Sequence, residues 1–108
     1  MDWQGFTLGE VEAAHAAAGQ MWHEFLRVPD LSVGLYVIPA GGVDPQSPHN
    51  EDEVYFVLSG RGVLAICEQE FVSEAGSIFY VARHNPHRFH SISEELRVLV
   101  FFAPSHTG

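Results

Sequence analysis

Lysine is missing from this chain: all five basic residues are arginines, set against 14 acidic residues, for a formal charge of −9. So few cations argue against nucleic acid or anionic membrane surfaces as partners, because both reward positive patches. Cysteine is nearly absent too. The single Cys67 cannot close an internal disulfide, and its apolar setting, GVLAICE, predicts a buried, inert thiol in a reducing compartment. No run approaches the ~20 apolar residues of a membrane helix. The opening MDWQGFTLGEVEAA lacks the basic and apolar stretches of a secretory leader, so the expectation is a cytoplasmic protein. Repeats, low-complexity tracts and linkers are also lacking, and 108 residues suit one domain.

What is present is a core-forming composition, 46% hydrophobic and 18% charged, with seven histidines. The segment LGEVEAAHAAAGQMWHEFL (8–26) is the helix candidate. Gly19 is expected to end the helix and MWHEFLRV to be extended. His15 and His23 read as surface or capping residues. From residue 31 the pattern is β throughout. LSVGLYVIP is a strand, AGGVDPQSP a loop, and EVYFVLSG a strand closed by an SGRG turn. GVLAICE, EFVSEAG and SIFYVA follow, then a turn at RHNP and the strands HRFHSI and LRVLVFFAP. Many short strands predict an all-β sandwich or barrel, with a core over about 31–104 and an N-terminal arm over 1–30. Several strands are apolar on both faces, which implies a covered outer face, by the N-terminal segment or by a second subunit in a homodimer.

The chemistry concentrates in QSPHNEDEVYFVLSGRG, residues 46–62. Residues two apart on a strand share a face, so Ser47, His49, Glu51, Glu53 and Tyr55 align wherever this stretch is extended. An imidazole and a carboxylate facing a barrel interior are costly to bury unpaired. A metal ion would satisfy them; so would a hydrogen bond between them or to a ligand. A second segment, GSIFYVARHNPHRFHSI, places Gly76 before a strand and His87 just after a turn. Tyr55, Phe79, Phe89 and Phe101 are expected to line the interior, and Arg83 and Arg88 to flank its mouth as solvated cations or partners of an acidic substrate.

Together the two segments resemble the cupin superfamily. Its first motif runs histidine, any residue, histidine, three or four residues, glutamate, six residues, glycine. Here NED separates His49 from Glu53, and VYFVLS separates Glu53 from Gly60. Gly76, Pro86 and His87 fit the second motif. The resemblance covers about residues 31–104 and implies a double-stranded β-helix (jelly-roll) barrel. Cupins offer three histidines and one glutamate to a metal; carrying over what matches leaves His49, Glu53 and His87. Ser47 stands where the first histidine is usual, Ala82 where a proline is, His84 where a glycine is, and Ser91 where an asparagine often is.

Two histidines and a carboxylate suit non-haem Fe(II) first, and otherwise Zn²⁺, Mn²⁺, Ni²⁺ or Co²⁺, with water in the fourth position. Gln46, Ser47 and His84 are the residues placed to complete or border the site. The implied activity is metal-dependent chemistry on a small organic molecule, as a dioxygenase, isomerase or lyase, with Tyr55 and His84 as acid–base candidates. The alternative is a non-enzymatic module that binds or senses a small ligand in the barrel.

Overall fold

The computed structural model describes residues 3–45 and 48–107. Helix α1 (Leu8–Ala18) precedes six strands: β1 (Trp22–Val28), β2 (Leu31–Ile38), β3 (Asp52–Ile66), β4 (Gln69–Glu74), β5 (Ile78–Val81) and β6 (His87–Ala103). The helix starts at a capping box. Thr7 Oγ1 accepts from the Glu10 amide at 3.1 Å, while Glu10 Oε1 accepts from the Thr7 amide at 3.3 Å. It stops at Gly19, whose φ of 68° is the left-handed cap expected of glycine. His15 caps rather than ligates, its Nε2 donating to the Met21 carbonyl at 2.9 Å.

The strands pair antiparallel in the order β1-β2-β6-β3-β4, with β5 also on β3. β3 and β6 are the spine of the barrel, paired from Asp52↔Ala103 to Ile66↔His87. The sequence reading divided each of them in two, and that division is corrected here. SGRG is no turn: β3 runs through it without a break, and Gly60 (φ 95°) sits where the pairing with β6 shifts register. Glycine serves a bulge as readily as a turn, since both need a positive φ or a close backbone approach. HRFHSI and LRVLVFFAP are likewise one strand, bent at Ser91, which adopts φ 51°.

That bend inverts the alternation of inner and outer side chains. Before Ser91 the buried residues are His87 and Phe89; after it they are Ile92, Leu96, Val98, Val100 and Phe102. Phe102 therefore faces the interior. Phe101, expected there, lies on the other face, beside a shallow outer groove with Leu31, Val54 and Tyr80.

The interior cluster joins Tyr36, Ile38, Tyr55, Val57, Leu64, Val81 and Phe89 to the inward residues of β6. The opposite face of β2 is apolar as well, and the N-terminal segment covers it. Val11 of α1 packs on Leu35 and Val37, with Phe25 and Leu99 beside them. Cys67, expected to be buried, is exposed. It occupies the turn between β3 and β4 at φ 53°, and its amide donates to the Pro86 carbonyl at 2.8 Å.

Asp44 anchors the loop between β2 and β3. Its carboxylate is buried, accepting from the Tyr36 hydroxyl at 2.6 Å and from the Phe89 amide at 2.9 Å. Burial, then the Asp44 hydrogen bond and charge, push the Tyr36 hydroxyl pKa far up. Asp44→Ala strands two buried donors and is expected to cost about 3 kcal/mol in chemical denaturation. A loss no larger than that of a surface Asp→Ala would sink this account.

Candidate metal centre

Three elements converge on one end of the barrel. The chain entering β3 carries His49 and Glu51, β3 itself carries Glu53, and the first residue of β6 is His87. Alternation along β3 sends Glu51, Glu53, Tyr55 and Val57 inward, all buried. A backbone bond from the His84 amide to the His49 carbonyl, 2.8 Å, ties the turn before β6 to the loop bearing His49.

His49, Glu53 and His87 come together as the motifs imply, with one ligand atom from each lying within 4.8 Å of the others. Glu53 Oε1 stands 2.6 Å from His87 Nε2 and 3.9 Å from His49 Nε2. His87 Nδ1 lies 2.9 Å from the Asn85 carbonyl, which can only accept, so Nδ1 carries a proton. Nε2 then faces the carboxylate either as an imidazolium N–H or as a lone pair with a cation nearby.

Glu53 is 2% exposed, and neither of its carboxylate oxygens accepts a well-directed hydrogen bond among the described residues. A buried carboxylate without aligned donors, flanked by two imidazoles, is a set that a divalent cation completes. The residues present therefore fit a metal ion.

The two histidines differ electrostatically. Burial pushes the His49 pKa down from 6.5; the His87 and His106 rings act in the same direction, against the pull of Glu53 and Glu51. For His87, burial also lowers the value. The close Glu53 carboxylate, the Asn85 carbonyl and the Glu53 charge outweigh it, and the pKa is raised above 6.5.

The signs for stability are opposite. The His87 contribution is complete below pH 6.5 and fades as pH rises through its raised value. The His49 contribution is present above pH 6.5 and is lost as pH falls through its lowered value. In metal-free protein, the two ring resonances followed by NMR are expected to titrate on opposite sides of pH 6.5. Stoichiometric Zn²⁺ should remove both transitions from that range. Coincident midpoints would contradict this arrangement.

The remaining candidates are distributed as follows. Tyr55 is fully buried, its ring 6.1 Å from that of His87 and 4.9 Å from that of Phe89. Phe79 packs against the core and edges Phe71 at 5.8 Å. His84, considered both for acid–base work and as a replacement ligand, does not join the cluster. Its left-handed backbone (φ 68°) leaves the side chain exposed, and it serves through its amide. Gln46 and Ser47 lie outside the described residues. Arg83 pairs with Asp52 at 3.3 Å, and His90 turns outward to Glu70 at 3.0 Å.

His106 and Glu51 were not singled out by the sequence. His106 lies beyond the last strand, with Nε2 3.3 Å from His49 Nδ1 and its ring stacked on Phe102 at 4.4 Å. Its only sequence signal is a histidine following a strand that ends at the site. Glu51 shares the inward parity of Glu53, a signal that was present and given no weight.

This architecture is that of the cupins, antiparallel double-stranded β-helix proteins that commonly bind a metal. A cupin-domain family model (Cupin_2) matches residues 34–102, and the chain belongs to that family. It is 46% identical to an uncharacterized protein of Streptomyces coelicolor over 101 residues, 94% of this chain and 96% of that one. An RmlC-like cupin of Methanocaldococcus jannaschii with a double-stranded β-helix fold superposes with a TM-score of 0.70 at 20% identity, covering 77% of this chain and 78% of that one. KdgF from Halomonas superposes at 0.69 with 18% identity, over 81% of this chain and 88% of its own. These structural likenesses show the fold.

Proposed function

We propose that the chain is a metal-dependent cupin acting on a small organic molecule, with His49, Glu53 and His87 as the metal's protein ligands. The observation that carries this reading is the Glu53 carboxylate, buried between two imidazoles without an aligned hydrogen bond among the described residues. Fe(II) is the preferred ion, and Zn²⁺, Mn²⁺, Ni²⁺ or Co²⁺ the other candidates, because two imidazoles and one carboxylate leave positions open. A bound divalent ion would supply Lewis acidity or, as iron, oxygen chemistry of the dioxygenase type. The chain's own contribution is positional. The Asn85 carbonyl holds the His87 tautomer, Glu53 balances the ion's charge, and Tyr55, Phe89 and Phe102 exclude water from the inner side. Tyr55, beside His87, is the acid–base candidate.

The test is elemental analysis of tag-free protein purified without chelators, beside a His49→Ala variant. Stoichiometric metal in the wild type that is lost on substitution supports the reading. Sub-stoichiometric metal unchanged by the substitution overturns it. Iron in the wild type would direct oxygen-uptake assays toward thiols, diketones and phenolics.

The aromatic wall favours a second reading, a ligand-binding or sensing module without turnover. Binding of small apolar ligands by metal-free protein would support it. A homodimer is proposed as well. Val72 on β4 and Ile78 and Tyr80 on β5 are exposed apolar residues, and light scattering coupled to size exclusion separates a dimer from a monomer.

A further inference from the structure

The tail after β6 is pinned rather than loose. The Ser105 hydroxyl donates to the Pro29 carbonyl at 3.3 Å, and the His106 amide donates to Ser32 Oγ at 2.9 Å. The Arg27 guanidinium grips the His106 carbonyl, with Nη1 at 2.9 Å, and the Thr107 hydroxyl donates to Glu51 Oε2 at 2.8 Å. Stacking on Phe102 fixes the plane of the imidazole. So held, His106 Nε2 lies 3.3 Å from His49 Nδ1 and 3.9 Å from Glu51 Oε1. Adjacent ligands of a tetrahedral ion with bonds of about 2.0–2.1 Å stand about 3.3 Å apart, so these separations are close to a ligand set.

The second observation is Glu51 itself. The residue is 2% exposed, and Oε1, the oxygen aimed at His106, accepts no hydrogen bond among the described residues. A buried anionic oxygen facing two imidazoles calls for a cation or a proton. The ligand atoms of His49, Glu51 and His106 all lie within 4.8 Å of one another, as do those of His49, Glu53 and His87. The two groups meet at His49 and take opposite nitrogens of its ring: Nε2 faces Glu53, and Nδ1 faces His106.

We propose that His49, Glu51 and the tail residue His106 form a second divalent-cation site, outward of the first, with the N₂O donor set of a zinc-like ion. The proposal rests on the first reading only in sharing His49. Filling the outer seat displaces the proton held between His49 Nδ1 and His106 Nε2, and that proton leaves to solvent. With both seats filled, His49 would serve one ion through Nε2 and the other through Nδ1.

The experiment is Zn²⁺ titration of the full chain by calorimetry and equilibrium dialysis, with circular dichroism checking each variant's fold. The wild type is expected to bind two equivalents. His106→Ala and Glu51→Gln should each bind one, and Glu53→Gln should keep the outer one. His106→Ala alters only the tail, and Glu51→Gln preserves shape, so one covers the other against misfolding. A single wild-type equivalent, merely weakened by His106→Ala, overturns the proposal and makes His106 a hydrogen-bond partner of His49. A second equivalent that persists in both variants also overturns it, as an adventitious ion only. If Glu53→Gln leaves the count unchanged while His106→Ala lowers it, the inner site fails and the outer one stands.

Discussion

Glu53→Gln is expected to weaken divalent-metal binding at the inner site by on the order of 100-fold or more while leaving the fold intact. Loss of an outer-shell partner costs roughly 10–100-fold in metal affinity, and a direct ligand is expected to reach or pass the upper end of that range. Glutamine keeps the shape of the side chain and removes its charge. The metal-free protein loses the 2.6 Å ion pair with His87 but also the desolvation penalty of a carboxylate that is 2% exposed. These terms oppose each other, so the metal-free melting temperature should move by only a few degrees.

His87→Ala is the informative contrast. It leaves Glu53 charged and buried without its closest cation, which costs about 3–5 kcal/mol. Competition with a chromophoric chelator for Zn²⁺ reads the affinities, and chemical denaturation reads the stabilities. Unchanged affinity in Glu53→Gln would show that the carboxylate is no ligand.

Gly60→Ala should cost about 3–5 kcal/mol, from two causes. The backbone there has φ 95°, where a side chain is strained, and an added Cβ would lie 2.0 Å from the Glu95 carbonyl oxygen and 2.8 Å from Leu96 Cα. The neighbouring backbone belongs to β6 and cannot rotate away as a side chain would. Gly76→Ala separates the two causes. Its φ is 88°, yet nothing lies within 4 Å of an added Cβ, so only the conformational cost of about 1–2 kcal/mol applies. Equal losses at the two positions, measured by denaturant unfolding, would refute the close-approach argument.

The site was legible in the sequence where local spacing decides it. His49, Glu53 and Gly60 lie on or beside one strand, so separation along the chain translates directly into separation in space. His87 follows a turn whose length sets where β6 begins. His106 was not legible, because no spacing rule connects a tail to a barrel mouth. It reaches His49 through contacts with Ser32, Pro29 and Arg27, more than 70 positions away. Phe101 and Phe102 show how a regular count fails. A period of two carried from His87 selects Phe101, but the left-handed residue Ser91 inverts the phase and brings Phe102 inward. The two undivided strands were missed for a related reason: composition alone does not tell a bulge glycine from a turn glycine.

Because β3 and β6 are each continuous and paired along their lengths, the segments they join are not separate cooperative units. The cation site takes Glu53 from the start of β3, while the last stretch of β3, Val63 to Ile66, pairs with His87–His90 at the start of β6. His87 thus belongs both to that ladder and to the cation site. A ligand that binds only the folded state lowers the population of every opening that disrupts its site. Metal binding at the histidines should therefore slow hydrogen exchange at the amides of Val63–Ile66 as well as beside Glu53, so that both ends of β3, far apart along the chain, report its occupancy.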